Sequence, residues 1–220
     1  MNRRRLKAAC CYCLLILGLL MSSPGKAGQI AQGLQDQSDK DFQGLLERVK
    51  QSEPSVDFTR LRRLYSESSS YMPYGDDAEG DLESAVVAQS FEKAVIIARD
   101  ILTRNYLNLE AHFAATVACI ALGDAKCGEH HRYVAQGILS SIAKSGDGKT
   151  PATAYVVVAT PEEYAVARVR SVRVEGQKLV QVDGHSYDQL TVRDGKTNAV
   201  SEVYFNVDLA LVATKRIFGL

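Results

Sequence analysis

The periodicity of the apolar residues changes once along the chain, and this change constrains the fold more than any other feature. From Phe91 to Leu102, as in most of the first two thirds of the chain, apolar side chains recur with the spacing of a helix face. After the turn-forming segment 145–148 they alternate, as strands do. The sequence therefore predicts an α+β fold, with a helical part over residues 41–145, a sheet part over residues 146–220, and one compact unit over residues 41–220.

Two segments of the helical part begin 34 positions apart, at Phe91 and at Ala125. This is the period of tetratricopeptide repeats, in which each repeat is a pair of packed helices. Because a stable array of such repeats needs about three copies, the sequence predicts tetratricopeptide-like helical hairpins rather than a longer array. Gly123 and Asp124 supply the turn that opens the second of these helices.

The sheet part has the pattern of a mainly antiparallel β-meander. A buried strand is predicted over residues 153–159, and Thr160 followed by Pro161 predicts the start of a short helix. The strands and turns predicted after it are strand 169–174, turn 175–176, strand 178–182, turn 183–184, strand 187–192, turn 194–195 and strand 200–207. The last residues, 209–220, fit either a short helix or an extended tail.

The N-terminus has the order of a cleavable signal peptide. Basic residues precede an apolar run from Ala8 to Met21, and small residues suit cleavage after Ala27. The apolar run is about 14 residues long, shorter than the roughly 20 that a membrane-spanning helix needs. The sequence therefore predicts a signal peptide over residues 1–27, a mobile polar leader over residues 28–40, a periplasmic or secreted location, and no stable membrane anchor after cleavage.

The charge of the chain argues against nucleic acid as a partner. Removing residues 1–27 leaves 21 basic residues against 26 acidic ones, whereas proteins hold phosphate backbones with clustered, uncompensated Lys and Arg. Gly148-Lys149-Thr150 resembles the end of a phosphate-binding loop, but Ala143 stands where that motif has its first glycine. The sequence predicts no nucleic-acid partner and no cofactor.

Six short segments of the chain, taken in their order along the sequence, are similar to segments of a known family. They are Arg60–Tyr65, Tyr106–Phe113, Ser145–Thr150, Glu162–Tyr164, Gly184–Asp188 and Val203–Asn206. Together they resemble a bacterial family catalogued as domain of unknown function 4919, and the resemblance covers the chain from about Phe42 to Val207. It implies an exported bacterial protein that folds as a single compact unit, and it assigns no catalytic residue.

The histidines do not have the spacing of a metal site. Ligands on a helix lie three or four positions apart so that they share one face, whereas His130 and His131 are adjacent. The remaining two histidines, His112 and His185, lie in different parts of the predicted fold. The sequence predicts no metal site, and it predicts that His131 packs within the helical hairpin.

His185 and Asp188 are the weak candidates for catalytic residues. They follow the predicted turn at 183–184, and a histidine oriented by a carboxylate is a common general base. The sequence contains no nucleophile motif to accompany them. The alternative is that both side chains form hydrogen bonds within the turn.

Cys119 and Cys127 are the two cysteines that follow the predicted signal peptide. In a hairpin that turns at Gly123 and Asp124, each lies about one helical turn from the bend, so their backbones approach to roughly 6 Å. An oxidising compartment favours the bond between them. The sequence predicts a disulfide, and the alternative is that both cysteines pack as small side chains between the helices.

Two functions fit these features. The first is a periplasmic protein-interaction or accessory module without enzymatic activity, whose paired helices bind an unknown protein or peptide. The alternative is a small hydrolase-like enzyme or ligand-binding domain with a site near His185, which requires Asp188, Asn206 and one of Glu162 or Asp147 to converge. Three tyrosines either line a groove or cover the helical core, namely Tyr71, Tyr74 and Tyr106.

Overall fold

The computed structural model describes residues 26–219, and within that range the chain has the α+β fold that the sequence predicts. The elements are α1 (Lys26–Lys50), α2 (Phe58–Glu67), α3 (Glu79–Val87), α4 (Phe91–Arg104), α5 (Leu109–Ala121), α6 (Ala125–Ala143), a 3₁₀ turn (Pro151–Thr153), β1 (Tyr155–Val156), α7 (Thr160–Val169), β2 (Val172–Val182), β3 (His185–Asp194), β4 (Val200–Asn206) and α8 (Asp208–Phe218). Nearly all of the predicted signal peptide lies outside the described residues and stays a prediction. Within the described residues, no helix is long and apolar enough to cross a membrane.

The first helix differs from what composition predicts, because residues 28–40 form the first half of α1 instead of a mobile leader. Amide and carboxylate side chains one turn apart support the helix, as where Gln32 Nε2 donates to Asp36 Oδ1 at 2.8 Å. Gln35 Nε2 also donates to the main-chain carbonyl of Glu67 at the end of α2, at 2.7 Å. The support comes from polar contacts, which a search for apolar periodicity does not detect.

The helices pack as consecutive antiparallel pairs, which confirms the predicted tetratricopeptide-like hairpins. Helix α3 packs on α4, and α5 packs on α6. Side-chain caps fix where the helices begin: Asn108 Oδ1 accepts from the amide of Ala111 at 2.9 Å, and Asp124 Oδ1 accepts from the amide of Cys127 at 3.0 Å. Helix α5 also lies beside both α3 and α7, so that α3, α5 and α7 form a row.

The sheet has the strand order β1-β4-β3-β2 and is mostly antiparallel. The short strand β1 pairs with β4 in parallel, through Tyr155 opposite Phe205. The turn predicted at residues 183–184 is confirmed: Asp183 and Gly184 have φ angles of 51° and 82°, which suit a two-residue hairpin turn. The strand predicted over residues 153–159 is shorter than expected, because only two of its residues pair with β4.

The turn predicted at residues 175–176 is wrong. Strand β2 runs through this position, and its register with β3 shifts between Val174 and Gly176, so that Glu175 is a β-bulge. Glu175 accepts from Arg193 of β3 at 2.7 Å and at 2.9 Å. Because the bulge absorbs the extra residue, the two short strands predicted here are a single long one.

Two groups of buried apolar side chains form the interior, and we call them the sheet core and the helical core. The sheet core draws on α1, α2, α6, α7 and the sheet, with Leu61, Ile138, Leu190 and Phe205 among its most deeply buried members. The helical core lies among α3, α4 and α5. Its members are Leu82, Ala85, Ala94, Ala98, Ile101, Leu102, Ala111, Ala115 and Ala118.

The C-terminal segment, which fits either a helix or a tail by sequence, is the helix α8. Its buried Ala213 joins the sheet core. Arg216 donates to the main-chain carbonyls of Glu67 and Ser66 at the end of α2, at 2.9 Å and 2.8 Å. These carbonyls are among those that a helix end leaves without helical partners, so the arginine ties the last helix to the second.

Candidate functional site

A groove with a volume of about 760 Å³ runs along the row formed by α3, α5 and α7. The loop before α3 closes part of it, with Tyr74 on its wall, and the start of α7 contributes Thr160. The volume lies within the range of about 300–1,000 Å³ that is usual for ligand sites. The groove therefore has room for several side chains of a bound molecule.

Large apolar side chains are exposed along this groove. The exposed fractions are 77 % for Val87, 59 % for Tyr74, 49 % for Val117 and 43 % for Tyr164. Single exposed apolar residues are common on protein surfaces, whereas several that share one concave surface mark an interaction site. Two of the four are tyrosines, a residue type enriched where proteins bind one another.

The charge of the groove is acidic. Glu110 forms an ion pair with Arg168, so these two charges offset each other. Glu79 accepts from the amide group of Asn108 at 2.6 Å, and Glu83 is exposed and has no ion-pair partner among residues 26–219. Two carboxylates are left without a compensating cation, which favours a basic group on a bound molecule.

The three tyrosines singled out in the sequence have different positions. Tyr74 lines the groove. Tyr71 is buried and its hydroxyl donates to the main-chain carbonyl of Val158. The hydroxyl of Tyr106 lies 2.7 Å from Nε2 of His130. Of the three, Tyr74 alone lines this groove.

The structure does not bring His185 and Asp188 together. His185 Nδ1 lies 2.6 Å from Oδ2 of Asp208 at the start of α8, and Asn206 donates to the same oxygen at 3.3 Å. Asp188 Oδ2 instead accepts from Gln177 at 2.8 Å. Successive side chains of a strand point to opposite faces, so residues three positions apart in β3 do not share one.

The other two carboxylates considered for the enzyme site also lie elsewhere. Asp147 is in an exposed loop, where it accepts from the hydroxyl of Thr153 at 2.7 Å. Glu162 is buried against Arg62. The side chains considered for the enzyme alternative are therefore distributed over four separate places, with Asn206 alone near His185, and form no common cleft.

Arg62 and Glu162 form a buried ion pair at the junction of α2, α6, β1 and α7. The guanidinium donates to both carboxylate oxygens, at 2.9 Å and 2.5 Å, and both side chains are less than a tenth exposed. Arg62 also donates to the hydroxyl of Ser141 at 3.1 Å and to the carbonyl of Val156 at 3.0 Å. This bidentate ion pair fixes the relative orientation of the two side chains, and the two charges compensate each other.

Glu163, the next residue of α7, is completely buried, and neither of its oxygens has a hydrogen-bond donor among the described residues. Burial and the neighbouring carboxylate of Asp188 raise the pKa of Glu163 to about 9. At neutral pH the side chain is therefore a protonated acid, which can donate its proton to Asp188. Gln177 holds Asp188 from the other side and accepts from Tyr164 at 2.6 Å.

Cys119 and Cys127 form a disulfide across the α5–α6 hairpin, which confirms the prediction. Their Cα atoms lie 5.7 Å apart, close to the separation expected from the position of the turn. Cys119 is buried, and Cys127 is half-buried. The bond ties the last turn of α5 to the first turn of α6.

A group of aromatic rings lies beside this disulfide. The Nδ1 atoms of His112 and His131 are 2.9 Å apart, and Nε2 of His112 lies 2.8 Å from the carbonyl oxygen of Tyr106. Burial lowers the pKa of His112 to about 3 and that of His131 to about 4. Both rings are therefore neutral at ordinary pH, and His131 packs within the hairpin as the sequence predicts.

The groove is not predicted from the sequence, although α5 carries a sign of it. Of the 13 residues of α5, Glu110 is the only one that is charged at neutral pH, so the helix is apolar on nearly every face. Such a helix is covered on every side or offers a surface to a partner. Glu163 was missed because its position at the start of a helix is also that of an ordinary capping residue.

The comparisons with known proteins identify a family and no characterised relative. A search of curated proteins and a search of solved structures both find no match to this chain. One family model matches residues 28–216, which include α2 to α7 and the whole sheet. Since this match covers far more than half of the sequence, the chain belongs to the family described as a domain of unknown function (DUF4919).

Proposed function

We propose that the protein binds a segment of another protein in the groove along α3, α5 and α7, and that this segment carries apolar side chains next to a basic residue. The observation that carries the proposal is the coincidence, in one concave surface, of exposed Val87, Val117 and two tyrosines with the uncompensated carboxylates of Glu79 and Glu83. Paired-helix proteins commonly bind partners on such a concave face.

The apolar part of the groove supplies the affinity. Burying a side chain such as Val87 is favourable by about 1.5 kcal/mol, and interface energy concentrates in a few anchoring residues of this kind. The carboxylates of Glu79 and Glu83 select the partner. A side chain opposite them binds favourably when it is positively charged and is repelled when it is negatively charged.

We infer that binding takes place after export, in the periplasm or outside the cell. The support is the order of basic, apolar and small residues in the first 27 positions, together with a disulfide, which persists in an oxidising compartment. The predicted cleavage site after Ala27 lies at the second residue of α1.

The proposal is tested by selecting binders from a library of random peptides displayed on phage. The wild-type chain should enrich peptides that combine Leu, Phe or Tyr with Lys or Arg. Glu83→Lys reverses the charge of an exposed groove residue and should shift the selected peptides from basic to acidic. Glu92→Lys makes the same change on the exposed part of α4 outside the groove, and it should leave the selection unchanged.

A second pair of variants tests the apolar contact with one selected peptide, measured by fluorescence anisotropy. Val87→Gln should weaken binding about tenfold, the equivalent of one lost apolar anchor. Ile96→Gln is the matched control, since Ile96 is 66 % exposed and lies outside the groove. Equal effects of the two substitutions, or peptides selected equally by wild type and Glu83→Lys, would show that the groove is not the binding site.

A further inference from the structure

Two sulfur atoms and a histidine lie together at the tip of the α5–α6 hairpin. The ligand-capable atoms of Cys119, Cys127 and His131 all lie within 4.8 Å of one another. Cys127 and His131 also line a second cavity, with a volume of about 550 Å³, so the group is reached from the surface. The residues of this cavity are different from those of the peptide groove.

This set of atoms matches the ligands that zinc prefers. Zinc takes thiolate sulfur and imidazole nitrogen in a tetrahedral arrangement, with bonds of about 2.0–2.3 Å, so its ligands are separated by roughly 3.5 Å. All three atoms lie within 4.8 Å of one another, and the two sulfurs, bonded to each other in the disulfide, have to move apart to that separation once the bond is reduced. The Cα atoms of the cysteines, 5.7 Å apart, allow both sulfurs to face one ion.

The hydrogen bonds around His131 leave one of its nitrogens free. The carbonyl oxygen of Tyr106 can only accept, so Nε2 of His112 carries a hydrogen. A second hydrogen on His112 would make it a fully buried cation, so its Nδ1 accepts the hydrogen on Nδ1 of His131. The neutral ring of His131 therefore keeps its lone pair on Nε2.

This chain of hydrogen bonds has the form that supports a metal-binding histidine. A histidine that ligates a metal through one nitrogen usually donates the hydrogen of the other to a fixed acceptor, which sets its tautomer and the direction of its ring. Here His112 is that acceptor, and the carbonyl of Tyr106 holds His112 in turn. The arrangement orients His131 before any ion arrives.

We propose that the thiol form of the hairpin binds one zinc ion through Cys119, Cys127 and His131, with His112 as a positioning residue and a solvent molecule as the fourth ligand. The disulfide and the metal exclude each other, because zinc binds thiolates. The hairpin is thus closed in one of two ways, by a covalent bond or by an ion.

The change between the two states balances as follows. A dithiol reductant transfers two electrons and two protons to the Cys119–Cys127 bond, becomes a cyclic disulfide, and leaves two thiols on the protein. When zinc binds, two sulfur–zinc bonds form and the two thiol protons pass to solvent. In the reverse exchange the cyclic disulfide takes back two electrons and two protons from the zinc-free thiols, and the original bond forms again.

The experiment titrates zinc into the purified protein in both states. One sample keeps the disulfide, and the other is reduced with a phosphine that is removed before calorimetry. We expect one zinc ion per reduced chain and none on the oxidised chain. Cobalt added to the reduced chain should give the visible absorption of a tetrahedral site with sulfur ligands.

Histidine variants separate the proposed ligand from its neighbour. His131→Ala should weaken zinc binding by more than about 100-fold, since loss of a ligand exceeds the 10–100-fold effect of losing an outer partner. His130→Ala is the matched control, because His130 is also half-buried in α6 but lies outside the group of ligands. It should bind zinc as the wild type does.

Three results would overturn the proposal. They are no zinc on the reduced chain, equal zinc affinity of the oxidised and reduced chains, and unchanged affinity of His131→Ala. Circular dichroism of each zinc-free sample shows whether the helices are retained. If His131→Ala loses its helices, His131→Gln, which keeps a polar side chain of similar size, replaces it in the titration.

Discussion

The sheet core and the helical core differ in the length of chain that builds them. The helical core is assembled from residues 82–118, whereas the sheet core collects side chains from Phe42 to Ala213. The helical core is also made largely of alanine, and the sheet core of large aliphatic and aromatic residues. A core formed from neighbouring helices depends on local contacts, while the sheet core depends on the closure of distant segments.

The two cores also differ in the ionisable groups that they enclose. The sheet core surrounds a paired arginine and glutamate and lies against the acid Glu163, while the rings of His112 and His131 lie beside the helical core. Each group is buried in its neutral or compensated form, which is the form that costs least in an apolar interior. The difference between the cores is therefore also a difference in their response to pH.

Breaking the buried ion pair should have the largest effect. Arg62→Met removes the cation and leaves Glu162 buried without compensation, which should lower the free energy of unfolding by about 3–5 kcal/mol. Urea denaturation monitored by circular dichroism measures this loss.

Two controls sharpen that comparison of the cores. The double variant Arg62→Met/Glu162→Met should recover most of the lost stability, because no charge remains buried. Arg104→Met removes an ion pair with Asp76, beside the helical core, in which the arginine side chain is 41 % exposed, and it should have a smaller effect because water solvates this cation. If Arg62→Met and Arg104→Met lose equal amounts of unfolding free energy, the buried ion pair is no more important for stability than the pair of Arg104 with Asp76.

The second largest effect is expected in alkali, which should lower the free energy of unfolding through the sheet core. The pKa of Glu163, raised to about 9, lies above that of the unfolded chain, so the stability from this proton is present at low pH and is lost as the pH rises toward 9. Between about pH 6 and about pH 8, the wild type should lose about 2.5 kcal/mol relative to Glu163→Gln.

Urea denaturation at both pH values measures the difference for Glu163. Glu92→Gln is the control, because Glu92 is exposed on α4, and its pH dependence should follow that of the wild type. If Glu163→Gln also follows the wild type, Glu163 is ionised in the folded protein and the explanation by burial fails.

Acid should weaken the region of the helical core by a smaller amount. The pKa values of His112 and His131, about 3 and about 4, lie below that of an unfolded histidine, so the stability from these rings is present above about pH 6.5 and is lost as the pH falls. From about pH 7.5 to about pH 5.5 the loss should be about 2 kcal/mol, since solvent screens half-buried His131. Imidazole proton shifts in NMR measure both pKa values directly, and midpoints near 6.5 would contradict this account.

Much of the fold could be predicted because its determinants are local. The period of the apolar residues gives the helical hairpins, and Asp124 marks the start of α6 through its own hydrogen bond to Cys127. The disulfide follows from the position of one turn. The bulge at Glu175 could not be predicted in this way, since Glu-Gly is also typical of turns and the deciding contact comes from Arg193 on the next strand.

The candidate site could not be predicted because its parts are distant in sequence. Arg62 and Glu162 are 100 positions apart, and nothing in the segment around either residue indicates the other. The groove exists because α3, α5 and α7 lie side by side, and the exposed Val87 and Tyr164 come from the first and the last of them. Patterns within single helices do not show which helices become neighbours.

The ends of the sheet bear on how the protein behaves at high concentration. An open edge strand offers unpaired amides and carbonyls to a second chain, which is a common route to aggregation. Here β1 has two residues, and β2, at the other edge, is kinked by the bulge at Glu175 and carries exposed Lys178. At one edge an approaching chain meets a strand of only two residues. At the other edge it meets a strand that is interrupted by a bulge and carries a charged side chain. The bulge that joins two predicted strands into one is thus also a feature of the kind that disfavours pairing between the edge strands of two molecules.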